Sequence, residues 1–261
     1  MRLFGLIGWP LGHSFSKKYF SEKFEREGIQ DARFELFPLE HIADLPVLVA
    51  QNPELHGLNV TIPHKETVIP FLHELDETAR AVGAVNCIKI VENQRLIGYN
   101  TDVVGFENSL LSWFGEQDVM GLEGIILGTG GASKAVAYVL KKLGIPFKFV
   151  SRNPQNENEI RYEDLEQWWS PSQPSTLNPQ PSTIIVNTTP IGTFPHTDEM
   201  PPIPPDFLKP GMFVYDLIYN PAETLLLHKA KARGCTVKNG LEMLEQQAEA
   251  AWEIWRETFD C

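Results

Sequence analysis

A lysine and an aspartate end two short polar motifs and suggest proton-transfer chemistry. Lys65 is the last residue of the motif at 59–65, and Asp102 is the last residue of the motif at 98–102. Each motif can mark the exit of a strand into a loop, and the two side chains could then converge on one small polar ligand. An ammonium and a carboxylate suit general acid–base catalysis. Either residue alone fits a solvated lysine or a helix-capping aspartate, but together in polar motifs they favour a functional site.

A second candidate site is the glycine-rich turn that follows the predicted strand at 124–127. Gly128, Gly130, Gly131 and Ala132 separate this strand from a predicted helix at 133–143. Glycines allow the backbone to approach a pyrophosphate, and the amide groups at a helix N-terminus can bind it. A tight turn alone also requires glycine, but the strand before it and the helix after it favour a dinucleotide site.

The tip of the next predicted strand, at 147–151, favours NADP over NAD as the cofactor. NAD-selective sites usually place an acidic residue about 20 residues beyond the glycines, whereas this chain has Ser151 and Arg152 there. A guanidinium can grip a 2'-phosphate, and the missing carboxylate removes the repulsion that would reject it. The alternative is an ordinary solvated arginine at the end of a strand.

Near the N-terminus, two serines precede an amphipathic segment at 17–27. Ser16, and with it Ser14, can cap the predicted helix. Their hydroxyls and the free amide groups at the helix start also form a plausible site for a carboxylate. Such a site would let an acidic protein hold an acidic substrate.

Composition narrows the class of protein. The chain has 261 residues and a formal net charge of -12, which argues against nucleic acid or an anionic membrane as the main partner. Its three cysteines lack metal-ligand spacing, so we expect reduced thiols and no metal site. The N-terminal apolar run is too short for a signal peptide, and no run approaches the roughly 18 apolar residues of a membrane span. We therefore expect a cytoplasmic protein.

The pattern of strands and helices predicts two α/β domains in tandem. Further strands are predicted at 3–8, 34–39, 58–62, 87–92, 183–187 and 212–217, and further helices at 66–75, 103–114 and 241–259. Residues 115–124 are predicted to form a hinge, and residues 170–182 and 195–211 to form irregular loops.

Taken together, the order of motifs resembles the shikimate dehydrogenase family over nearly the whole chain. The motifs that carry the resemblance occupy residues 14–16, 59–65, 83–86, 98–102, 128–132, 187–192 and 240–248. The resemblance implies an N-terminal α/β substrate domain, a Rossmann-like NADP-binding domain and a C-terminal helix that packs back on the first domain. The expected boundaries are 1–102 with 239–261 for the substrate domain and 103–238 for the dinucleotide domain.

The resemblance also implies the activity and the residues that carry it. Members of the family reduce 3-dehydroshikimate to shikimate with NADPH, in the route to aromatic amino acids. Lys65 and Asp102 would be the acid/base pair. The expected substrate contacts are Ser14, Ser16, Asn59, Thr61, Asn86, Tyr219 and Gln247. The expected cofactor contacts are Gly128, Gly130, Gly131, Ala132, Ser151, Arg152, Asn187, Thr188 and Gly240.

Departures from the family pattern leave two alternatives open. Asn156 stands where a second basic residue often lies, and Thr193 replaces a methionine on the nicotinamide side. One alternative is a quinate or dual quinate/shikimate dehydrogenase that uses NAD or NADP. The other is a non-catalytic sensor of a shikimate-type ligand, which retention of Lys65 and Asp102 disfavours. The oligomeric state expected is a monomer or a homodimer.

Overall fold

The computed structural model describes residues 1–12, 15–115, 119, 121–168, 182–204 and 206–257. The chain divides into two compact units. The first unit consists of Met1–Val104 and Gln247–Cys261, and the second unit is Gly105–Gln246. The fold is α/β with two six-stranded sheets, one in each unit, which confirms the predicted fold class.

The first unit is built on a mixed sheet with the strand order β2-β1-β3-β5-β6-β4. Its strands are β1 (Arg2–Gly8), β2 (Ala32–Pro38), β3 (Leu55–Val60), β4 (Glu74–Leu75), β5 (Cys87–Val91) and β6 (Arg95–Tyr99). Strand β1 is parallel to both of its neighbours, whereas β5 is antiparallel to β3 and to β6. This arrangement brings the carboxyl ends of β3 and β6 to either side of the start of β5.

Helices cover both faces of this first sheet. They are α1 (Phe15–Arg26), α2 (Leu45–Gln51), α3 (His64–Thr67), α4 (Glu77–Val82) and the start of α5 (Thr101–Phe114), which runs on into the second unit. Successive side chains of β1 point to opposite faces of the sheet, so this strand contributes to the hydrophobic cluster on each face. Leu3 and Ile7 pack in one cluster, and Phe4 and Leu6 in the other.

The C-terminal helix α9 (Leu241–Arg256) begins in the second unit and returns to the first. Trp252 and Trp255 are buried against Phe4, with ring centroids 5.4 and 5.0 Å from that of Phe4. A buried lysine of α1, Lys23, donates hydrogen bonds to Glu249 of α9. The predicted return of this helix to the first domain is thus confirmed, and it brings Gln247 into the first unit.

The second unit is a fully parallel sheet with the order β12-β11-β10-β7-β8-β9. The strands are β7 (Leu122–Leu127), β8 (Phe147–Val150), β9 (Glu159–Ile160), β10 (Ser182–Asn187), β11 (Phe213–Asp216) and β12 (Thr236–Lys238). The helices are α6 (Gly131–Lys142), α7 (Leu165–Trp168) and α8 (Leu225–Ala232). This is the doubly wound Rossmann order, in which the direction of strand succession reverses between β7 and β10.

Several predicted elements differ in the structure. The helix expected at 66–75 is a single turn of α3, a 3-10 turn at Ile69–Phe71 and the short strand β4, because Pro70 has no amide hydrogen to continue a helix. Strand β3 ends at Val60, two residues before its predicted end. Within the predicted hinge, residues 122–124 belong to β7. Of the loop predicted at 170–182, all but Ser182 lies outside the described residues.

The described residues contain neither a membrane-spanning helix nor a cluster of metal ligands. No described helix has both the length and the apolar character that crossing a membrane requires. In the same residues, no group of three or more His, Cys, Asp and Glu side chains is placed to hold a metal ion.

Candidate active site and dinucleotide site

Lys65 and Asp102 form a direct ion pair in the first unit. Lys65 Nζ lies 2.7 Å from Asp102 Oδ2, and the two side chains are 18% and 8% exposed. An ammonium has three hydrogens to donate, and Asp102 takes one of them. The Lys65 side chain is partly exposed to solvent. The structure therefore brings together the two residues that the sequence predicts as an acid/base pair.

The buried amide of Asn86 holds the second oxygen of Asp102. Asn86 Nδ2 donates to Asp102 Oδ1 at 2.8 Å and to Thr101 Oγ1 at 2.9 Å. Asn86 Oδ1 accepts from the backbone amide of Thr101 at 2.6 Å. Both oxygens of Asp102 thus have partners, which fixes the orientation of the carboxylate toward Lys65.

Gln247 of α9 joins this network from a distant part of the chain. Its Oε1 accepts from Thr101 Oγ1 at 3.4 Å and lies 3.3 Å from Asn86 Nδ2, whose two hydrogens point at the shorter contacts with Asp102 and Thr101. Gln247 is 7% exposed, so its part of the network is buried. Two of the predicted substrate-binding residues, Asn86 and Gln247, are therefore within hydrogen-bond distance of each other.

Asn59 presents a buried acceptor that no described residue satisfies. It is 4% exposed, and its Nδ2 donates to the backbone carbonyl of Asn86 at 3.4 Å. Its Oδ1 is buried without a hydrogen-bond partner among the described residues. An unpaired buried acceptor costs about 1–3 kcal/mol. A ligand hydroxyl could remove that cost only after a local movement, since the atom is shielded from solvent in this structure.

Lys65 and Asp102 reach this point from two local backbone structures. Lys65 is the second residue of α3, and its carbonyl accepts from Val85 N at 2.7 Å. Asn100, not Asp102, stands before the first turn of α5 and accepts from Val103 N at 3.3 Å. The simpler interpretation of Asp102 as a helix cap is therefore wrong, because this carboxylate lies inside the first turn and bonds to side chains instead.

The two N-terminal serines are only partly described. Ser14 lies outside the described residues. Ser16 is the second residue of α1 and is half-buried, so the expectation that it caps the helix is wrong.

Thr61 follows β3 and is half-buried, and its backbone amide donates to the carbonyl of Ile7. Tyr219 is half-buried in the second unit.

The predicted glycine-rich turn lies at the point in the second sheet where strand succession reverses. Gly128 follows β7 with a φ of +100°, a conformation that L side chains rarely adopt. A Cβ atom here would also lie 3.0 Å from Thr188 Oγ1, which follows β10. Gly130 is the N-cap of α6, and a Cβ there would meet no protein atom within 4 Å. Gly131 and Ala132, the first residues of α6, are half-buried. Open space before a helix N-terminus fits a dinucleotide pyrophosphate.

Two further predicted cofactor contacts have structural roles of their own. Asn187 is fully buried, donates to Asp216 Oδ1 at 2.9 Å and accepts from Thr189 Oγ1 at 2.7 Å. Gly240 is required because a Cβ would lie 2.0 Å from the carbonyl oxygen of Leu217. Direct contact with a cofactor through the Asn187 side chain would require breaking its present bonds.

Ser151 and Arg152 follow β8 at the carboxyl edge of the second sheet. Ser151 N donates to the carbonyl of Ile160 at 2.9 Å, and Ser151 Oγ accepts from Asn153 N at 3.2 Å. Arg152 is exposed at the strand end. The structure therefore places this guanidinium at the predicted position.

Asp216 is a buried carboxylate that sequence reasoning assigned no role. It accepts from Asn187, from Ile218 N at 3.1 Å and from Thr224 Oγ1 at 2.6 Å. Burial raises the pKa of Asp216 to about 6, and the three hydrogen bonds oppose that rise. Asp216 is the last residue of β11. In the sequence it looks like any polar residue at the end of a strand, so no pattern marked it as important. Thr101 was likewise part of a recognised motif without an assigned role.

Comparisons with known proteins agree over nearly the whole chain. A family model described as the shikimate dehydrogenase substrate binding domain matches residues 6–88. The shikimate dehydrogenase (NADP(+)) of Methanococcus maripaludis is 37% identical, and the match covers 97% of this chain and 91% of that protein.

Solved structures give the same result. Shikimate dehydrogenase 1 from Peptoclostridium difficile has a TM-score of 0.83 at 33% identity, and the match covers 99% of this chain and 92% of that one. The enzyme from Thermus thermophilus, solved with NADP(H) and shikimate, has a TM-score of 0.81 at 28% identity. That match covers 98% of this chain and 94% of the other.

Proposed function

The chain belongs to the shikimate dehydrogenase family, and we propose that Lys65 and Asp102 perform the proton transfer in its reaction. The protein is an NADP-dependent oxidoreductase that interconverts shikimate and 3-dehydroshikimate in aromatic biosynthesis. The observation that carries the proposal is the 2.7 Å contact between Lys65 Nζ and Asp102 Oδ2, beside the unpaired Oδ1 of Asn59.

In the proposed mechanism, Lys65 protonates the substrate oxygen. When bound, the nicotinamide of NADPH supplies the hydride that reduces the ketone. Lys65 stabilises the negative charge that develops on the ketone oxygen and then gives it a proton. In the reverse direction, the neutral amine accepts the proton of the hydroxyl. Asp102, held by Asn86, keeps the ammonium directed at that oxygen.

Ring hydroxyls of the substrate would bind to the amide side chains around this pair. Asn59 offers a buried acceptor, and its position beside Asn86 supports contact with a hydroxyl after a local movement. We assign Thr61 and Gln247 to the same set, and Ser14 and Ser16 to the substrate carboxylate. Tyr219 lies in the second unit, and its contact with the carboxylate stays a prediction. We assign the substrate site to the first unit and the dinucleotide site to the second.

The residues that would hold NADP surround the glycine-rich turn. Gly128, Gly130, Gly131 and Ala132 would admit the pyrophosphate, and Ser151 and Arg152 would bind the 2'-phosphate. Thr188 lies against Gly128 and would line the same turn. For Asn187 and Gly240 we propose a supporting role, because both are committed to contacts with the backbone or with Asp216.

The test is the rate of shikimate oxidation, followed by absorbance of the reduced nicotinamide. We expect turnover with shikimate and NADP, and Lys65→Met should reduce kcat by about a hundredfold or more. NADP affinity should stay unchanged in this variant. Lys18→Met removes an exposed lysine of α1 and is the matched control, with wild-type kcat expected.

The alternatives predict different results in the same assay. Rapid turnover of quinate, or of NAD, would favour the dual-specificity dehydrogenase. Binding of NADP with no turnover of either acid would favour the sensor. A Lys65→Met variant with kcat near that of the wild type would remove Lys65 from the mechanism. The cytoplasmic location and the choice of monomer or homodimer stay predictions, testable by fractionation and light scattering.

A further inference from the structure

Two arginines line one pocket at the carboxyl edge of the second sheet. The pocket has a volume of about 290 Å³, and its lining includes Arg152, Arg161, Tyr162 and Glu163. Arg161 was not among the residues that the sequence singled out. It lies directly after the two-residue strand β9.

The register of β8 and β9 explains why the two arginines meet. The strands are parallel, with Val150 opposite Ile160, and Ser151 N donates to the carbonyl of Ile160. Parallel strands end at the same edge of a sheet, so the residues that follow Val150 and Ile160 emerge side by side. Continued by one residue, this register places Arg161 opposite Ser151, and Arg152 is the residue after Ser151.

Asn156 stabilises the loop that delivers Arg161. Its Nδ2 donates to Glu159 Oε1 at 2.6 Å, and its Oδ1 accepts from Asn158 N at 2.9 Å. The first bond joins the connection between β8 and β9 to the first residue of β9, and the second lies within the connection. Asn156, which stands where a second basic residue often lies, therefore holds β9 in place. The basic residue Arg161 follows β9 directly.

The charges in the pocket favour an anion. Among the described residues, neither Arg152 nor Arg161 has an ion-pair partner within 4.0 Å, whereas many exposed arginines of this chain do. Glu163 is the carboxylate on the pocket wall, so two positive charges face one negative charge. Burial raises the pKa of Tyr162, and the charge of Arg152 opposes that rise, which places this guanidinium near the phenol.

We propose that Arg161 is a second specificity-determining residue, which binds the 2'-phosphate of NADP together with Arg152. This inference rests on the proposed function, in which NADP is the cofactor. Two planar guanidinium groups on adjacent strand ends can donate to different oxygens of one phosphate. NAD carries a hydroxyl at this position and gains little from a second cation.

Isothermal titration of the full chain tests the proposal without relying on turnover. The ligands are NADP, NAD, adenosine 2',5'-bisphosphate and adenosine 5'-monophosphate. A hydrogen bond to a charged group contributes about 1.5–3 kcal/mol, so Arg161→Gln should raise the Kd of the two 2'-phosphate ligands by about 10- to 100-fold. The Kd of NAD and of the monophosphate should change by less than about threefold.

Matched variants distinguish an effect of charge on ligand affinity from an effect of misfolding. Arg233→Gln removes an exposed arginine of the same unit and should leave every Kd unchanged. Arg161→Lys keeps the charge and should recover part of the lost affinity. Glu163→Gln removes the opposing carboxylate and should tighten NADP. Circular dichroism and the thermal midpoint confirm that each variant is folded.

The outcomes that overturn the proposal differ from those that overturn the proposed function. If Arg152→Gln weakens NADP and Arg161→Gln does not, Arg161 has no part in recognition, and the proposed function stands. Equal loss of NADP and NAD affinity in Arg161→Gln would make it a structural residue. If the wild-type chain binds NADP no more tightly than NAD, the assignment of the cofactor itself fails.

Discussion

At the scale of single residues, Asp102 makes two contacts that a neutral amide reproduces only in part. In Asp102→Asn, the amide nitrogen would replace one carboxylate oxygen and would face a donor, either Lys65 Nζ or Asn86 Nδ2. Lys65 would also lose its counter-charge. We expect kcat for shikimate oxidation to fall about a hundredfold or more, with little change in the Kd of NADP. Asp31→Asn, at an exposed ion pair of the same unit, is the control. Unchanged kcat in Asp102→Asn would leave the carboxylate with a structural role.

Asp216 gives a pH-dependent contribution to stability. Its pKa in the folded state is raised to about 6 from an ordinary value near 3.8, so the folded state binds this proton more tightly than the unfolded state. The free energy of unfolding therefore falls as pH rises from about 3 to about 7, by about 3 kcal/mol in total from this group, and most of the fall lies between about pH 4 and 6. Below about pH 3 and above about pH 7 its contribution is constant.

Urea unfolding of the wild type and Asp216→Asn at several pH values isolates this contribution. An asparagine keeps the acceptor for Asn187 and Ile218 and can donate to the Thr224 hydroxyl. We expect the variant to gain stability relative to the wild type mainly as pH rises from about 4 to about 6, with a constant difference above about pH 7. A difference that does not depend on pH would contradict the raised pKa.

At the scale of elements, Trp255 attaches helix α9 to the first sheet. Its Nε1 donates to the backbone carbonyl of Ile88 in β5 at 3.0 Å, and its ring stacks on Phe4. Trp255→Phe keeps an aromatic ring but leaves that carbonyl unpaired, which should lower the free energy of unfolding by about 1–3 kcal/mol. Trp255→Ala should cost about 3–5 kcal/mol.

Urea unfolding measures these changes, and Trp9→Phe provides the control. Trp9 is 43% exposed, so its replacement should change stability by less than about 0.5 kcal/mol. Equal stability of Trp255→Phe and the wild type would show that the indole hydrogen bond contributes nothing to the attachment of α9.

The length of an element decided whether sequence patterns could predict it. Helices α1, α5, α6 and α9 span 12 to 16 residues, and their apolar periodicity was sufficient. Strands β9 and β12 have two and three residues, too few to show alternation. Strand β6 was missed because the turn before it has positive φ at Asn93 and Gln94, where no glycine marks it.

At the scale of the whole molecule, the described cysteines are sequestered. Cys87 and Cys235 are buried, and burial raises the pKa of both thiols. Since the thiolate is the reactive form, a Cys261→Ser variant should show no rapidly reacting thiol when native and two in denaturant. Titration with a chromogenic disulfide checks this count. Rapid reaction of one thiol in the native state would indicate local opening around Cys87 or Cys235.

The candidate site could be predicted only where its residues lie in short polar motifs. Lys65 and Asp102 each end such a motif, and the structure pairs them at 2.7 Å. The contact of Asn86 with Gln247 joins residues 161 positions apart, which no local pattern encodes. Gln247 was reached through family resemblance. Arg161 was missed because its position follows from the register of a two-residue strand.

The return of α9 to the first unit sets an order of events during synthesis of the chain. Strands β1–β6 leave the ribosome before the second unit, whereas Trp252 and Trp255 leave after it. At about 5–20 residues per second, translation of Gly105–Gln246 separates them by roughly 7–28 seconds. Throughout that interval Phe4 lacks its two tryptophan neighbours, so the nascent chain presents an uncovered aromatic surface. We expect this surface to bind chaperones until the last helix emerges.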